Sequence, residues 1–340
     1  MRRPRALSVV FGQLVFACLL FPGASEAQGQ KPETVRLSMA AFAAIYYPHL
    51  LAKELGYYAE EGIHIEPILM PGGIATPALL SGDIHFSTSS GSAMTAILRG
   101  FDLRVVFAAM DRPFYTLFTH SKDIRKAVDL KGKKIALQSR GDSTQISMTL
   151  WLKKHGVDPR DVTWLVVPSQ DGRVAALLRG HVDVITSTPR STIALKAAQH
   201  QIYEIAYLGR EVKMHFTGLA AAKKLLDTKA DMIRRFLRAT AKGREFFRTY
   251  KEDTLRLTRK YDKTGDEVRT HEYDATLETM TLDGTEGLEA QKTNIEAVAQ
   301  VLGTATLPAD RVFDFRLTQE AYKDLKDKNW RPAQPGDGAK

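Results

Sequence analysis

The sequence predicts an α/β protein of two lobes with a ligand cleft between them, and three observations lead there. At 340 residues, 44% of them hydrophobic, the chain exceeds the length at which one hydrophobic core usually divides into two. Short β-rich runs alternate with helical stretches along most of it, as α/β folds require. The third observation is an internal echo. A shift of 98 positions lays Ala78-Leu79-Leu80-Ser81-Gly82 over Ala176-Leu177-Leu178-Arg179-Gly180, and Thr88-Ser89 over Thr186-Ser187, without a gap. In each copy an apolar helix stops at a glycine suited to the left-handed cap position, and a short β-rich run follows, Ile84 to Thr88 or Val182 to Thr186. Each run ends in hydroxyl residues at the place where open α/β sheets bind ligands.

The elements follow in order. Val35, Leu37 and Met39 alternate with Arg36 and Ser38, which marks a strand; a loop of small residues leads to Pro48, suited to a first helical position. Leu50, Leu51, Leu55 and Tyr58 share a helix face, and Ile63 to Met70 reads as a second strand closed by Pro71-Gly72-Gly73. Leu103 to Ala109 is a strand, and Phe114 to Thr119 is expected to carry the chain into the second lobe. There a helix with Ile146, Leu150 and Trp151 on one side ends near Gly156, and Val162 to Val167, Val182 to Thr186 and Ile202 to Tyr207 read as strands. Met214 to Ala220 is the expected return crossing. From Asp231 to Tyr261 the pattern is helical, with Ile233, Phe236, Leu237, Phe246 and Phe247 at packing positions. A less regular acidic stretch runs to Gly287, then come helices over Leu288 to Leu302 and Thr318 to Leu325 and a Pro/Gly-rich tail.

Met1 to Ala27 has the build of an export signal: Arg2, Arg3 and Arg5, an apolar run from Ala6 to Phe21, and small Ser25 and Ala27 before the expected cut. The run is shorter than the roughly 20 residues of a spanning helix. The only cysteine, Cys18, leaves with this segment, which removes disulfides and thiol chemistry from the remainder. Lipidation of Cys18 is the alternative, against which Phe16 and the greasy Leu19-Leu20-Phe21 argue. The formal charge is +9, or +7 without those 27 residues; the basic residues are spread out and no nucleic-acid motif accompanies them.

The run Tyr47-Pro48-His49-Leu50-Leu51-Ala52-Lys53-Glu54-Leu55-Gly56-Tyr57-Tyr58-Ala59-Glu60-Glu61-Gly62-Ile63 resembles the opening of periplasmic solute-binding proteins of the nitrate/sulfonate/taurine type, which serve ABC importers. Asp129-Leu130-Lys131-Gly132-Lys133 resembles the family's entry into its second lobe. His85 departs from the pattern by standing where an acid is usual, while Asp183 keeps it in the second copy. The resemblance covers about Val35 to Leu325. It implies the two-lobed, two-crossover periplasmic-binding-protein type II fold, with the first lobe over 34–116, the second over 117–216, a return over 217–330, and a flexible tail over 331–340. It also implies a monomeric periplasmic receptor that hands a small molecule to an ABC permease and its ATPase. Two other roles stay open: a ligand sensor for a membrane receptor, and an enzyme on the scaffold of pyrimidine synthesis, which is expected to carry a cysteine-rich motif. An effector domain of a transcription regulator shares the fold, and the export signal argues against it.

No catalytic motif is visible, and neither a cofactor nor a metal site is expected; Asp83 and His85 share a strand face but make only two ligands. The best ligand group is Ser139-Arg140-Gly141-Asp142-Ser143-Thr144, because a glycine-containing loop opening a helix offers N–H groups, hydroxyls and a guanidinium to an anion; an ordinary cap by Asp142 or Ser143 is the alternative. Ser87 to Ser92, with Ser87, Ser89 and Ser90 as candidate ligand groups, is the matching group in the other lobe. Thr188 and Arg190 follow the echoed strand, and Arg112 precedes the first crossing. Tyr46, Tyr47 and Phe114 are candidates to floor a pocket by stacking, or else pack the core or hinge.

Overall fold

The computed structural model describes residues 31–70, 72–197 and 202–334. The expected export signal with Cys18, and the tail beyond residue 334, lie outside the described residues. Among the described residues ten strands form two five-stranded sheets. In the first, β1 (Glu33–Met39) pairs in parallel with β2 (Ile63–Leu69) and β3 (Phe86–Ser87); β10 (Thr217–Ala222) lies antiparallel between β3 and β4 (Leu103–Met110), giving the order β2-β1-β3-β10-β4. The second contains β5 (Thr116–Thr119), β6 (Lys134–Leu137), β7 (Thr163–Val166), β8 (Val184–Ser187) and β9 (Tyr203–Tyr207) in the order β7-β6-β8-β5-β9, with β5 antiparallel to both its neighbours.

The two sheets share one plan, each with its antiparallel member fourth in the row, and that member comes from the far side of a crossing. The chain leaves the first sheet after β4 to enter the second at β5, and returns between β9 and β10. The echo lays β3 over β8, the third strand of each sheet. The crossings are laced together by the amides of Met214 and Phe216, which donate to the carbonyls of Asp111 and Met110, and by Leu208, which donates to Tyr115.

Local sequence explains these elements. Val35, Leu37 and Met39 are buried and so is Ser38 between two of them, as expected of a parallel strand covered on both faces. Pro67 sits in β2, an edge strand where the missing N–H costs nothing. Gly218 in β10 has no substitute, since a Cβ there would lie 1.8 Å from the Phe107 carbonyl oxygen. The helix Ala230–Thr249 buries Met232, Ile233, Phe236, Leu237, Phe246 and Phe247 against the first sheet, and Phe236 stacks on Phe86 at 4.2 Å.

Three readings are corrected. The helical pattern over 231–261 is two helices, Ala230–Thr249 and Lys251–Thr258, broken at Tyr250, whose φ of −123° and ψ of 81° are not helical. The irregular acidic stretch contains a helix, Asp266–Thr279. The run Ile84 to Thr88 holds a strand of only Phe86–Ser87. No described helix is long and apolar enough to cross a membrane.

Candidate functional site

The carboxyl ends of the parallel strands and the helix starts that follow them supply the polar groups between the sheets. After β3, Thr88 leads into the helix Ser90–Leu98, whose N-cap Ser89 makes no side-chain cap bond. Its first amides therefore have no side-chain acceptor and the partial positive charge of the helix start is not offset. Three hydroxyls toward the carboxyl ends of their strands are buried, Ser38 in β1, Thr88 after β3 and Thr186 in β8; Ser38 and Thr186 have no hydrogen-bond partner, and Thr88 has only the neighbouring Tyr46 phenol. Buried hydroxyls are nearly always paired; Thr254, Thr276, Tyr207 and Tyr322 are unpaired elsewhere, and what distinguishes Ser38 and Thr186 is their place toward the carboxyl ends of strands. Beside them Tyr115 shares a hydrogen bond with Ser143 at 3.0 Å, and burial pushes its phenol above the ordinary range. Burial does the same to the Tyr46 phenol, against the Thr88 hydroxyl. Phe114, Tyr115 and Phe216 pack edge-on at the crossings, with centroids 4.9 to 5.7 Å apart.

The expected anion loop is arranged otherwise. Asp142 caps the helix Ser143–Lys154, accepting from the amides of Thr144 and Gln145 at 3.1 Å each, from the Thr144 hydroxyl at 2.6 Å and from the Ser139 amide at 3.1 Å. The helix start that sequence offered to an anion thus already holds a carboxylate. Burial raises the Asp142 pKa, partly opposed by those bonds. Gly141 takes φ +78°, and its amide donates to Gln145 Oε1. Ser139 and Arg140 are exposed at the rim.

Sequence reasoning missed Arg173. It lies in the helix Gln170–Leu178, is 3% exposed, and has no carboxylate bonded to it: Nη1 donates to the carbonyls of Val167 and Pro168, Nη2 to Gln170, and Nε to nothing. Burial lowers its pKa, while the charges of Tyr115 and Asp142 act the other way. Nothing in Ser169-Gln170-Asp171-Gly172-Arg173 distinguishes a buried arginine from a surface one.

Other candidates serve the frame. Tyr47 is fully buried, and its hydroxyl donates to Asp262 at 2.8 Å. Arg190 bonds Glu272 twice, at 2.8 and 3.0 Å, and Asp262 once at 2.9 Å, so its charge is spent on two carboxylates. Arg112 bonds Asp111 and the Glu278 carbonyl. Thr188 is occupied by Ser191, and the Ser87 hydroxyl accepts the Ser89 amide. Ser90 joins a chain that looks like a charge relay: its Oγ lies 2.7 Å from His215 Nε2, His215 Nδ1 lies 2.6 Å from Glu286, and Asn294 donates to Glu286. Ser90 is wholly buried, however, on the helix face that carries Ala93, Met94 and Ile97 into the core. The chain ties the helix start to the crossing and offers no accessible nucleophile. His85 accepts the Arg36 amide and Asp83 the Ser81 hydroxyl, and no group of three metal-ligating side chains occurs among the described residues.

A family profile described as NMT1/THI5 like matches residues 44–253. A riboflavin-binding protein, RibY, of Chloroflexus aurantiacus is 23% identical over 233 residues, 65% of this chain; the chain spans only that same 65% of the relative's length. The periplasmic aliphatic sulphonate binding protein SsuA of Escherichia coli superposes with a TM-score of 0.68 at 18% identity, over 90% of this chain and 94% of that one. DszB in complex with biphenyl-2-sulfinic acid superposes at 0.61 and 14% identity, over 86% and 99%. A second DszB structure is described as a desulfurization enzyme, so the scaffold is shared by binders and catalysts.

Proposed function

The chain belongs to the NMT1/THI5-like family, and from that premise we propose that it is an exported receptor that closes its two lobes on a small polar or anionic molecule and delivers it to an ABC permease. The observation that carries this reading is the set of buried hydroxyls toward strand ends, Ser38 and Thr88 from one sheet and Thr186 from the other, together with the helix start after Thr88 that has no side-chain cap. A ligand that satisfies groups from both sheets binds the closed arrangement better than the open one, and only such a difference in affinity can drive closure. Relatives that bind a flavin and a sulfonate lend support from the same fold. The DszB likeness gives an enzyme its hearing. Against it, no described residue is a cysteine and the one serine–histidine–carboxylate chain is sealed in the core.

A thermal-shift screen of small organic acids and heterocycles identifies the ligand, because binding at 100 times the Kd adds about 2.7 kcal/mol of stability. Calorimetry on Thr88→Val and Thr186→Val then tests the site. Each should weaken binding about fivefold, the worth of one hydrogen bond. If both variants bind like the parent, the cleft is not where the ligand lies.

A further inference from the structure

We propose that an interior cavity beside the first sheet is a site for one monatomic inorganic anion, a halide such as chloride, held by Arg244 and Thr276. The cavity lies between strand β4 and the helices Ala230–Thr249 and Asp266–Thr279. Phe107 and Met280 are among its apolar walls, and His49, Thr240, Arg244 and Thr276 supply its polar ones. Its volume is about 10 Å³, room for one atom-sized guest and for no organic molecule.

Arg244 is one of the most deeply buried side chains, at 1% exposed, and every group it donates to is neutral. Nη1 donates to the Ala109 carbonyl at 3.0 Å; Nη2 donates to the Thr281 carbonyl at 2.6 Å and to the Thr281 hydroxyl at 3.2 Å; Nε has no partner. The Thr281 carbonyl also serves a second cation, since Arg248 donates to it. Burial lowers the Arg244 pKa, Tyr322 and Glu245 act against that, and the charge of Arg248 adds to it. Arg104 and Arg269 are as buried, yet each pairs with an aspartate, and Arg173 stands within reach of the charge of Asp142. The guanidinium of Arg244 lies 5.1 Å from the centre of the Phe107 ring, itself a wall of the cavity. A buried charge is costly unless an opposite charge meets it.

Thr276 supplies the second donor. It is 2% exposed and its hydroxyl bonds nothing, whereas Thr249 and Thr279, in the same two helices, donate back to carbonyls one turn earlier. Two unspent donors therefore line one small space, and both lack an acceptor. A water satisfies the hydrogen bonds and leaves the guanidinium charge unmet; a halide meets both needs. The guest also has a place in the latch between the lobes. The helix that carries Thr276 carries Glu272, which accepts from Arg190, so an anion joining Thr276 to Arg244 seats the helix that Arg190 grips.

Thermal melts of the whole protein in sodium chloride and in sodium gluconate, at one ionic strength, are the first test, because gluconate is too large for the cavity. The melting temperature should rise by about 3 °C for each tenfold increase of chloride above its Kd, and should not follow gluconate. Thr276→Val keeps the shape without the hydroxyl and should weaken chloride about tenfold or more, moving the onset of that rise to higher chloride. Arg244→Met should remove the response; if that variant does not fold, Thr276→Val carries the test. Crystals grown in sodium bromide should show an anomalous peak bonded to Arg244 Nε and Thr276 Oγ1. Equal melting temperatures in the two salts, an unchanged chloride response in Thr276→Val, or a water in place of bromide at that position each overturn the proposal. None of these readouts uses a cleft ligand, so failure of the receptor reading shows at Thr88 and Thr186 and failure of this one at Arg244 and Thr276.

Discussion

Replacing Arg190 by methionine should release the lobes from each other. The guanidinium reaches from the helix Pro189–Ala197, beside the second sheet, to Glu272 and Asp262, which belong with helices packed on Tyr47 and its neighbours at the first. Without it Asp262 keeps bonds from Tyr47 and Thr264, but Glu272 has no other partner among the described residues and its side chain is only 9% exposed. Removing one partner of a fully buried ion pair costs about 3 to 5 kcal/mol. Arg190 is itself 36% exposed, so solvent already screens part of the interaction, and about 2 kcal/mol is the expected loss. In an open arrangement both carboxylates reach water, so the loss falls on the closed form and shifts the closed-to-open ratio by about 30-fold. Small-angle scattering should then give a larger radius of gyration for the ligand-free variant than for the parent, and cleft affinity should fall by up to the same factor. Adding Glu272→Gln to the variant should restore part of the loss, since the stranded charge is then gone. Identical scattering and identical affinity for parent and Arg190→Met would refute the latch.

Three further outcomes follow from the packing. His49 is buried, and burial together with the nearby charge of Arg244 lowers its pKa from 6.5 to about 3; above about pH 6.5 both states hold a neutral ring, but below it the unfolded chain takes up a proton the folded ring refuses, so stability falls by about 1.4 kcal/mol per pH unit. About 2 kcal/mol is then gone at pH 5 from this group, and urea titrations should find that slope reduced in His49→Gln. Burial raises the pKa of Asp142, so its contribution is full below the unfolded value and is lost as pH rises through the folded one; Asp142→Asn, which keeps a cap acceptor without the charge, should be neutral or better at pH 7, whereas Asp142→Ala should cost about 1 to 2 kcal/mol. An asparagine as costly as alanine in denaturant melts would mean that the charge itself is needed beside Arg173. Gly218→Ala forces a Cβ into the Phe107 carbonyl and should cost about 3 kcal/mol or prevent folding, and a melting temperature equal to the parent's would refute that close approach.

The fold was legible because its signals are local and repeated. A helix that ends at a glycine and a strand that ends in hydroxyls are written within a dozen residues, and the 98-residue echo set β3 and β8 at the same place in two sheets of one plan. The helix Asp266–Thr279 was not legible, for a physical reason. Its buried face carries Arg269, Glu272, Tyr273 and Thr276 in place of an apolar stripe. Those groups are satisfied from far along the chain: Arg269 donates to Tyr47, Glu272 accepts from Arg190, and Tyr273 donates to the Phe247 carbonyl. Periodicity of hydrophobic residues cannot find a face whose burial depends on partners 82 and 222 positions away.

The site divides along the same line. Sequence could say which residue types stand at the helix starts, and it brought forward Ser139 to Thr144 and Ser87 to Ser92 because both follow the motif of a loop opening a helix. It could not say which of the two starts the protein fills for itself. Asp142 turns its carboxylate back onto the amides of Thr144 and Gln145, whereas Ser89 makes no such bond at the start of Ser90–Leu98. A half-charge that is already met by an aspartate repels a second anion, and one left unmet attracts it. The two lobes, alike in plan, are thus unlike in charge at these helix starts, and Arg173 stands buried within reach of the aspartate's charge. Were an anion held at the Ser90–Leu98 start, the second lobe's hold on it would have to come from a group other than the Ser143–Lys154 start, because closing on a ligand requires that both lobes touch it.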